Sequence, residues 1–143
     1  MTAAIFAHGT LLKIGDGAST EVFTTIAEVT DIGGPEIALE IAEVTSHSST
    51  NGWKEKIGAL LDAGQVSFSI NYIPTNATHN NTAGLIADMV ARTLRNFQLI
   101  FPDSGTTTWS FSALVVGFSP TEPIDGALTA DVTLEVSGQP TLV

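Results

Sequence analysis

Residues 126–140 read GALTADVTLEVSGQP. In this stretch Leu128, Ala130, Val132, Leu134 and Val136 alternate with Thr129, Asp131, Thr133 and Glu135. Successive side chains of a strand point to opposite faces, so the pattern predicts a β-strand with one apolar face. Its other face is hydroxyl and carboxylate. A strand of this kind covers a core with one side and meets water, or something else polar, with the other.

The neighbouring stretches extend the pattern. Residues 106–119 predict a long strand that returns from a tight turn at PDSG (102–105) after a strand at 97–101. In its first half Trp109, Phe111 and Ala113 oppose Ser110 and Ser112. From Leu114 onward Leu114, Val116 and Phe118 oppose Val115, so both faces are apolar. This half is expected to be covered on both sides, by a helix or by another subunit. Residues 65–73 alternate strictly, with Val66, Phe68, Ile70 and Tyr72 against Ser67, Ser69 and Asn71.

Earlier in the chain, strands are expected at 9–14, 22–32 and 36–45, punctuated by GDG (15–17) and GGP (33–35). In the third, Ile37, Leu39 and Ile41 alternate with Glu36, Ala38 and Glu40. Residues 46–64, SHSSTNGWKEKIGALLDAG, lose the alternation. They predict a long loop, with Ile57, Leu60 and Leu61 on one helical turn. A loop of this length in a small domain carries function or is disordered. One helix is expected at 82–94, where Leu85, Ile86, Met89, Val90 and Leu94 fall at helical spacing. Asn81 or Thr82 would cap its start, and Arg92 and Arg95 would sit near its end. The sum is seven or eight strands and one helix with no βαβ alternation. The fold class is mainly β: an antiparallel β-sandwich or partly closed barrel with one flanking α-helix.

Composition narrows the function. The 143 residues suit one domain, and 43% are hydrophobic against 14% charged. Fifteen acidic residues face five Lys and Arg, for a net charge of −10. Nucleic-acid affinity rests on cations that neutralise phosphates, so DNA or RNA binding is not expected. Repulsion of DNA is another matter. No basic cluster suits anionic lipid, and the uncharged run at 104–121 alternates as a strand does, so no membrane role is expected. Cysteine is absent, which removes disulfides, thiolate metal sites and cysteine nucleophiles.

No catalytic constellation emerges. His8, His47 and His79 lack metal-ligand spacing, and no metal or cofactor is expected. There is no G-x-S-x-G elbow, and GDGAST (15–20) lacks the lysine of a phosphate loop. The pairs Glu36 with Glu40 and Asp131 with Glu135 read as solvated strand faces, not as acid–base dyads. NAT (76–78) and NNT (80–82) read as an Asn-rich loop. What remains is the long loop, the doubly apolar strand and the acidic faces. These suit a subunit that buries surface against its own copies better than an enzyme.

In order and spacing the parts GTLLKIGDG, IAEVTDIGGPEIALEIAEVTSHS, SFSINYIP, NFQLIFPDSGTTTWSFSALVVGFSP and ALTADVTLEVSGQP resemble the major tail tube protein family of long, non-contractile-tailed bacteriophages. The resemblance covers nearly the whole chain, residues 1–143, as one tail-tube domain. It implies a structural virion protein of the phage tail, assembled in the host cytoplasm. Subunits would form hexameric rings whose sheets join around a channel for DNA ejection. The rings would stack into a tube, meeting other tail proteins at its ends. The loop at 46–64 would reach a neighbouring subunit or ring through Trp53, Lys54, Lys56, Ile57, Leu60 and Leu61. The acidic residues expected to face the lumen are Asp131 and Glu135, then Glu36 and Glu40. The immunoglobulin-like C-terminal domain of some relatives is not expected here. Competing readings are a tail terminator, a minor tail protein, the inner tube of a contractile injection system, or a small β-sandwich binding module. The last needs an exposed aromatic platform, and only Trp53, Tyr72 and Trp109 are available.

Overall fold

The two long C-terminal strands organise the molecule, which is described over residues 2–143 in a computed structural model. The strands in chain order are β1 (Leu11–Gly15), β2 (Phe23–Thr25), β3 (Val29–Gly33), β4 (Ala38–Glu43), β5 (Lys56–Asp62), β6 (Gln65–Asn71), β7 (Arg95–Ile100), β8 (Thr108–Thr121) and β9 (Thr129–Leu142). The helix α1 (Leu85–Ala91) lies between β6 and β7. Seven strands form one antiparallel sheet in the order β2-β1-β7-β8-β9-β6-β3, and β4 and β5 form a separate two-stranded ribbon.

β8 and β9 are each 14 residues long and serve two halves of the sheet. β7 pairs only with the first half of β8, Arg95 with Ala113 through Ile100 with Thr108. β6 pairs only with the first half of β9, Gln65 with Glu135 through Asn71 with Thr129. The long hairpin therefore passes from one half of the sheet to the other. Its edges β2 and β3 are joined by only residues 26–28. In a flat sheet those edges would lie roughly 29 Å apart at about 4.8 Å per strand. The linker can span only about 14 Å, so the sheet must curl until its edges approach. The result is a partly closed barrel, one of the two forms expected from the sequence. A cleft of about 650 Å3 marks the seam, between β3 on one side and residues 5–10 with Leu99 and Phe101 on the other.

The core fills the curl. Ala130, Val132, Leu134 and Val136 of β9 are buried with Val66, Phe68 and Ile70 of β6, and with Phe97, Leu99 and Phe111 beyond them. Each fully buried side chain of this size contributes about 1.5–3 kcal/mol. Phe97 and Phe111 stack with ring centres 5.8 Å apart. The apolar change in β8 has a simple cause. Its register with β9 shifts between Val115 and Gly117. A bulge there moves the inward positions from Phe111, Ala113 and Val115 to Phe118, which packs edge-on against Tyr72 at 5.1 Å. Val116 is left half exposed. The strand is therefore not apolar on two continuous faces; its apolar phase switches. The helix α1 does pack against β8, through an apolar side containing buried Leu85 and half-buried Met89.

Three other expectations need correction. The strand at 22–32 is broken by a turn in which Glu28 adopts φ 57°, giving β2 and β3. The helix covers Leu85–Ala91, not 82–94. Residues 82–84 form a turn in which the Asn80 Oδ1 accepts the N–H groups of Thr82, Ala83 and Gly84. Arg92 leaves the helix in the left-handed region. Arg95 opens β7 and donates to buried Asp88 at 3.0 Å and to the Asp16 carbonyl at 2.8 Å. Finally, residues 46–64 are not an open loop, and their one helical turn is a 3-10 turn at Thr50–Gly52 instead of 57–61. Residues 56–62 form β5, which pairs antiparallel with β4 from Glu43–Lys56 to Ala38–Asp62.

Candidate functional site

The ribbon β4–β5 is an arm that leaves the barrel and returns to it. Every residue of β5 is exposed, as is every residue of β4 except half-buried Ala42. Its side chains include Ile37, Leu39, Ile41, Val44 and Ile57, each about half exposed, with Trp53 and Leu60 each 76% exposed and Leu61 nearly as bare. At the distal end Lys54 lies 4.0 Å from Glu43, and the Ser49 hydroxyl donates to Glu55. Lys56 makes no ion pair among the described residues. The arm turns that the sequence placed in a loop thus bring Trp53, Lys54, Lys56 and Ile57 to one end of a ribbon, with Leu60 and Leu61 nearer its base.

The base is fixed by two glycines. Gly34 and Gly64 both have positive φ, 104° and 67°. A Cβ on Gly34 would lie 2.5 Å from the Gln65 carbonyl oxygen, and one on Gly64 would strike the Glu36 carbonyl. The two legs of the arm can meet only because these side chains are absent. Gly64 is also tied to the long hairpin, its carbonyl accepting the Val136 N–H at 3.0 Å. Ile37, Leu61, Trp109, Val136, Pro140 and Leu142 line an open cleft of about 700 Å3 beside this base.

A second surface lies on the outward face of β6, β9 and β8. Asp131 and Glu135 point away from the core on β9, as the alternation requires. Register places Ser69 and Ser119 beside Asp131, and Gln65 and Leu114 beside Glu135. The Ser69 hydroxyl donates to Asp131 at 2.7 Å, and the Gln65 amide donates to Glu135 at 2.8 Å. Ser67 with Thr133 lies between them, and Asn71 with Thr129 continues the polar face beyond Asp131. Glu36 and Glu40 do not join it. Glu36 precedes β4 and Glu40 lies on the arm, both exposed.

A third feature escaped sequence reasoning. Leu114–Thr121 of β8 has no strand neighbour on the side away from β9 among the described residues, and β3 pairs only with β6. The four-stranded half made of β8, β9, β6 and β3 therefore ends in two open edges. Unpaired strand edges present rows of N–H and C=O groups that can accept another strand.

The titratable groups elsewhere serve the fold. The Asp16 carboxylate accepts the Ala18 and Val22 N–H groups at 3.0 and 3.2 Å, and these bonds, with a smaller effect of Arg95, hold its pKa below the usual range. Asp103 is lowered likewise by the Thr107 hydroxyl and N–H. His79 is fully buried; its Nδ1 accepts the Ile73 N–H and its Nε2 lies 2.7 Å from the Ala27 carbonyl, so the neutral ring with Nε2–H satisfies both. It ties the 26–28 linker to the loop before α1. His8 and His47 are exposed and lie elsewhere. No group of three or more His, Cys, Asp or Glu among the described residues is placed to hold a metal ion. No helix among them is long and apolar enough to cross a membrane.

This architecture has known counterparts. The chain is similar in fold to a subunit in the tail of an empty gene transfer agent particle refined with C6 symmetry. The TM-score is 0.78 at 20% identity, over 98% of this chain and 99% of that one. It is similar to the SPP1 tail tube protein, with a TM-score of 0.69 at 12% identity over 97% and 78% of the two chains. It also resembles a chain of the sheath/tube terminator structure of an extracellular contractile injection system, with a TM-score of 0.70 at 10% identity over 100% and 99%. A sequence comparison with curated proteins finds no match. The lambda phage tail tube protein (TTP) family profile matches residues 8–143, nearly the whole length, and the chain belongs to that family of phage tail components.

Proposed function

We propose that the chain assembles into hexameric rings that stack as a phage tail tube, an acidic channel through which DNA leaves the virion. The observation that carries this reading is the four-stranded half-sheet with two open edges and one polar, acidic face. Joining the β8 edge of one copy to the β3 edge of the next satisfies both. Six copies of four strands, tilted about 40° and spaced about 4.8 Å apart, close a ring with a backbone diameter of roughly 50 Å. The core-facing side of the sheet is already covered, so Asp131 and Glu135 face the bore. Their ring sums with the rest of the chain to roughly −60, from −10 per copy, a field that repels phosphate within about 8–10 Å. DNA then slides without binding. The arm, with its exposed Trp53, Leu60 and Leu61, makes the contacts between subunits or rings, and other tail proteins take its place at the tube ends. Assembly takes place in the host cytoplasm. No catalytic step, cofactor or membrane contact belongs to this role.

Negative-stain electron microscopy of the concentrated protein tests the reading: rings or hollow filaments are expected, and monomers at every concentration would defeat it. Replacing Asp131 and Glu135 with Lys addresses the bore. Tubes should still form but should retain added duplex DNA, whereas wild-type tubes should not. Equal DNA retention by the two would remove these residues from the channel wall.

A further inference from the structure

The sheet has two poles, and their chemistry is complementary. β6 runs from Gln65, beside the arm base at Gly34 and Gly64, to Asn71, which sits opposite Thr129. Thr129 in turn pairs with Thr121. The tip of the β8–β9 hairpin, residues 122–128, therefore lies at the far end of the strands from the arm, about 20 Å away along β6 at roughly 3.4 Å per residue. Both chain legs entering the arm, from β3 and into β6, pass the opposite end.

The tip is built for contact. Residues 121–125, which enter it, read TEPID, and Ile124 is fully exposed. Pro120 and Pro123 restrict the backbone around it, and Gly126 is packed so that a Cβ there would lie 3.0 Å from Pro123. A restricted turn loses little freedom when it is covered. Glu122 and Asp125 flank Ile124, and no cation lies between Arg95 and the C-terminus. The distal arm carries Trp53 and Ile57 exposed beside Lys54 and Lys56, two of only five Lys and Arg in the chain. Glu43 and Glu55 are there too: Glu43 lies 4.0 Å from exposed Lys54, a pairing that docking would exchange, and Glu55 accepts from Ser49, so Lys56 is the arm cation without an ion pair among the described residues.

We propose that the hairpin tip at 122–126 of one copy is the docking surface for the distal arm of a second copy. Ile124 packs on Trp53 and Ile57, and Glu122 and Asp125 meet Lys54 and Lys56. The contact joins unlike surfaces at opposite poles, so it repeats without closing and propagates along the strand direction. It rests on the tube reading and names the surface that receives the arm.

The chain has no cysteine, so introduced thiols are unambiguous. The variant W53C/I124C is concentrated until polymers are seen by electron microscopy, then oxidised and run on a denaturing gel. A ladder of covalent multimers is expected, and none for W53C/V90C, whose second thiol lies on the exposed helix face. Polymers without a ladder, or equal ladders from both variants, would overturn the docking surface while leaving the tube reading intact. A wild-type chain that never polymerises would overturn both. A second measurement covers loss of polymer in the cysteine variants. K54E/K56E and E122K/D125K should each reduce sedimentable polymer at least tenfold, and the fourfold variant should restore it. No restoration, with monomer circular dichroism unchanged, would overturn the pairing.

Discussion

The barrel and the arm use the same kind of residue in opposite ways. In the barrel, Val66, Phe68 and Ile70 alternate with Ser67 and Ser69, and every one of the three is buried. In the arm, Ile57, Leu60 and Leu61 sit in a strand of the same length and stay half to three-quarters exposed. Aliphatic side chains left in water forgo the stabilisation that burial would give, about 25 cal/mol per Å2. The barrel has a filled core, although its β8 and β3 edges stay open. The arm is an exposed apolar surface, which on the proposed reading meets another copy of the chain.

Substitutions can break that contrast, and the largest effect belongs to the core. Phe97→Ala should destabilise the monomer by about 3–5 kcal/mol in urea unfolding, since it empties a fully buried site stacked on Phe111. Leu60→Ser with Leu61→Ser should move the same transition by less than about 0.5 kcal/mol each yet abolish polymer. A core-sized loss from the arm pair would mean that the arm folds onto its own barrel.

The joints between the regions come next. His79→Leu leaves the Ile73 N–H and the Ala27 carbonyl without their partner, for about 1–3 kcal/mol. Hydrogen exchange should quicken around residues 26–28. Gly64→Ala forces a side chain into a left-handed position against the Glu36 carbonyl, for about 1–3 kcal/mol. Its exchange changes should fall on 34–37 and 62–65 and spare β7. Changes spread evenly over the barrel would show that arm and body are one cooperative unit.

The smallest expected effect is a pH dependence. Asp16 and Asp103 have pKa values lowered from 3.8 by hydrogen bonds that only the folded turns provide. The stability they add is therefore complete above the unfolded value and is lost as pH falls through the folded one. Asp16→Asn and Asp103→Asn together should flatten the decline in melting temperature below about pH 4. Both groups are in the barrel, so acid should not act first on the arm.

Most strands of the barrel were readable because they have one wet face and one dry face, and selection for burial writes a period of two; the break between β2 and β3 at Glu28 was not. β5 was not, for the same reason inverted. KIGALLD contacts no core on either side, so nothing imposes alternation on it. The helix was overextended because Leu94 continues the spacing of Leu85 and Met89, whereas the chain is already turning at Arg92 into β7. The doubly apolar stretch of β8 was a bulge, which changes the phase of a pattern without changing its composition. Asp131 and Glu135 were readable as outward residues; that Glu36 and Glu40 lie apart from them was not.

By itself, the sequence determined a mainly β chain, antiparallel, acidic, with one helix and with Asp131 and Glu135 on a polar face. Those properties follow from local periodicity and from charge, which need no partner to be expressed. Only the tertiary structure decided that the sheet curls through a three-residue joint between its edges, and that 56–62 is the second leg of an arm. It alone put the TEPID turn and the base of the arm at opposite ends of the sheet. Each of these depends on which strands pair across distant parts of the chain, and pairing is set by the packing of the whole core, which no short stretch encodes.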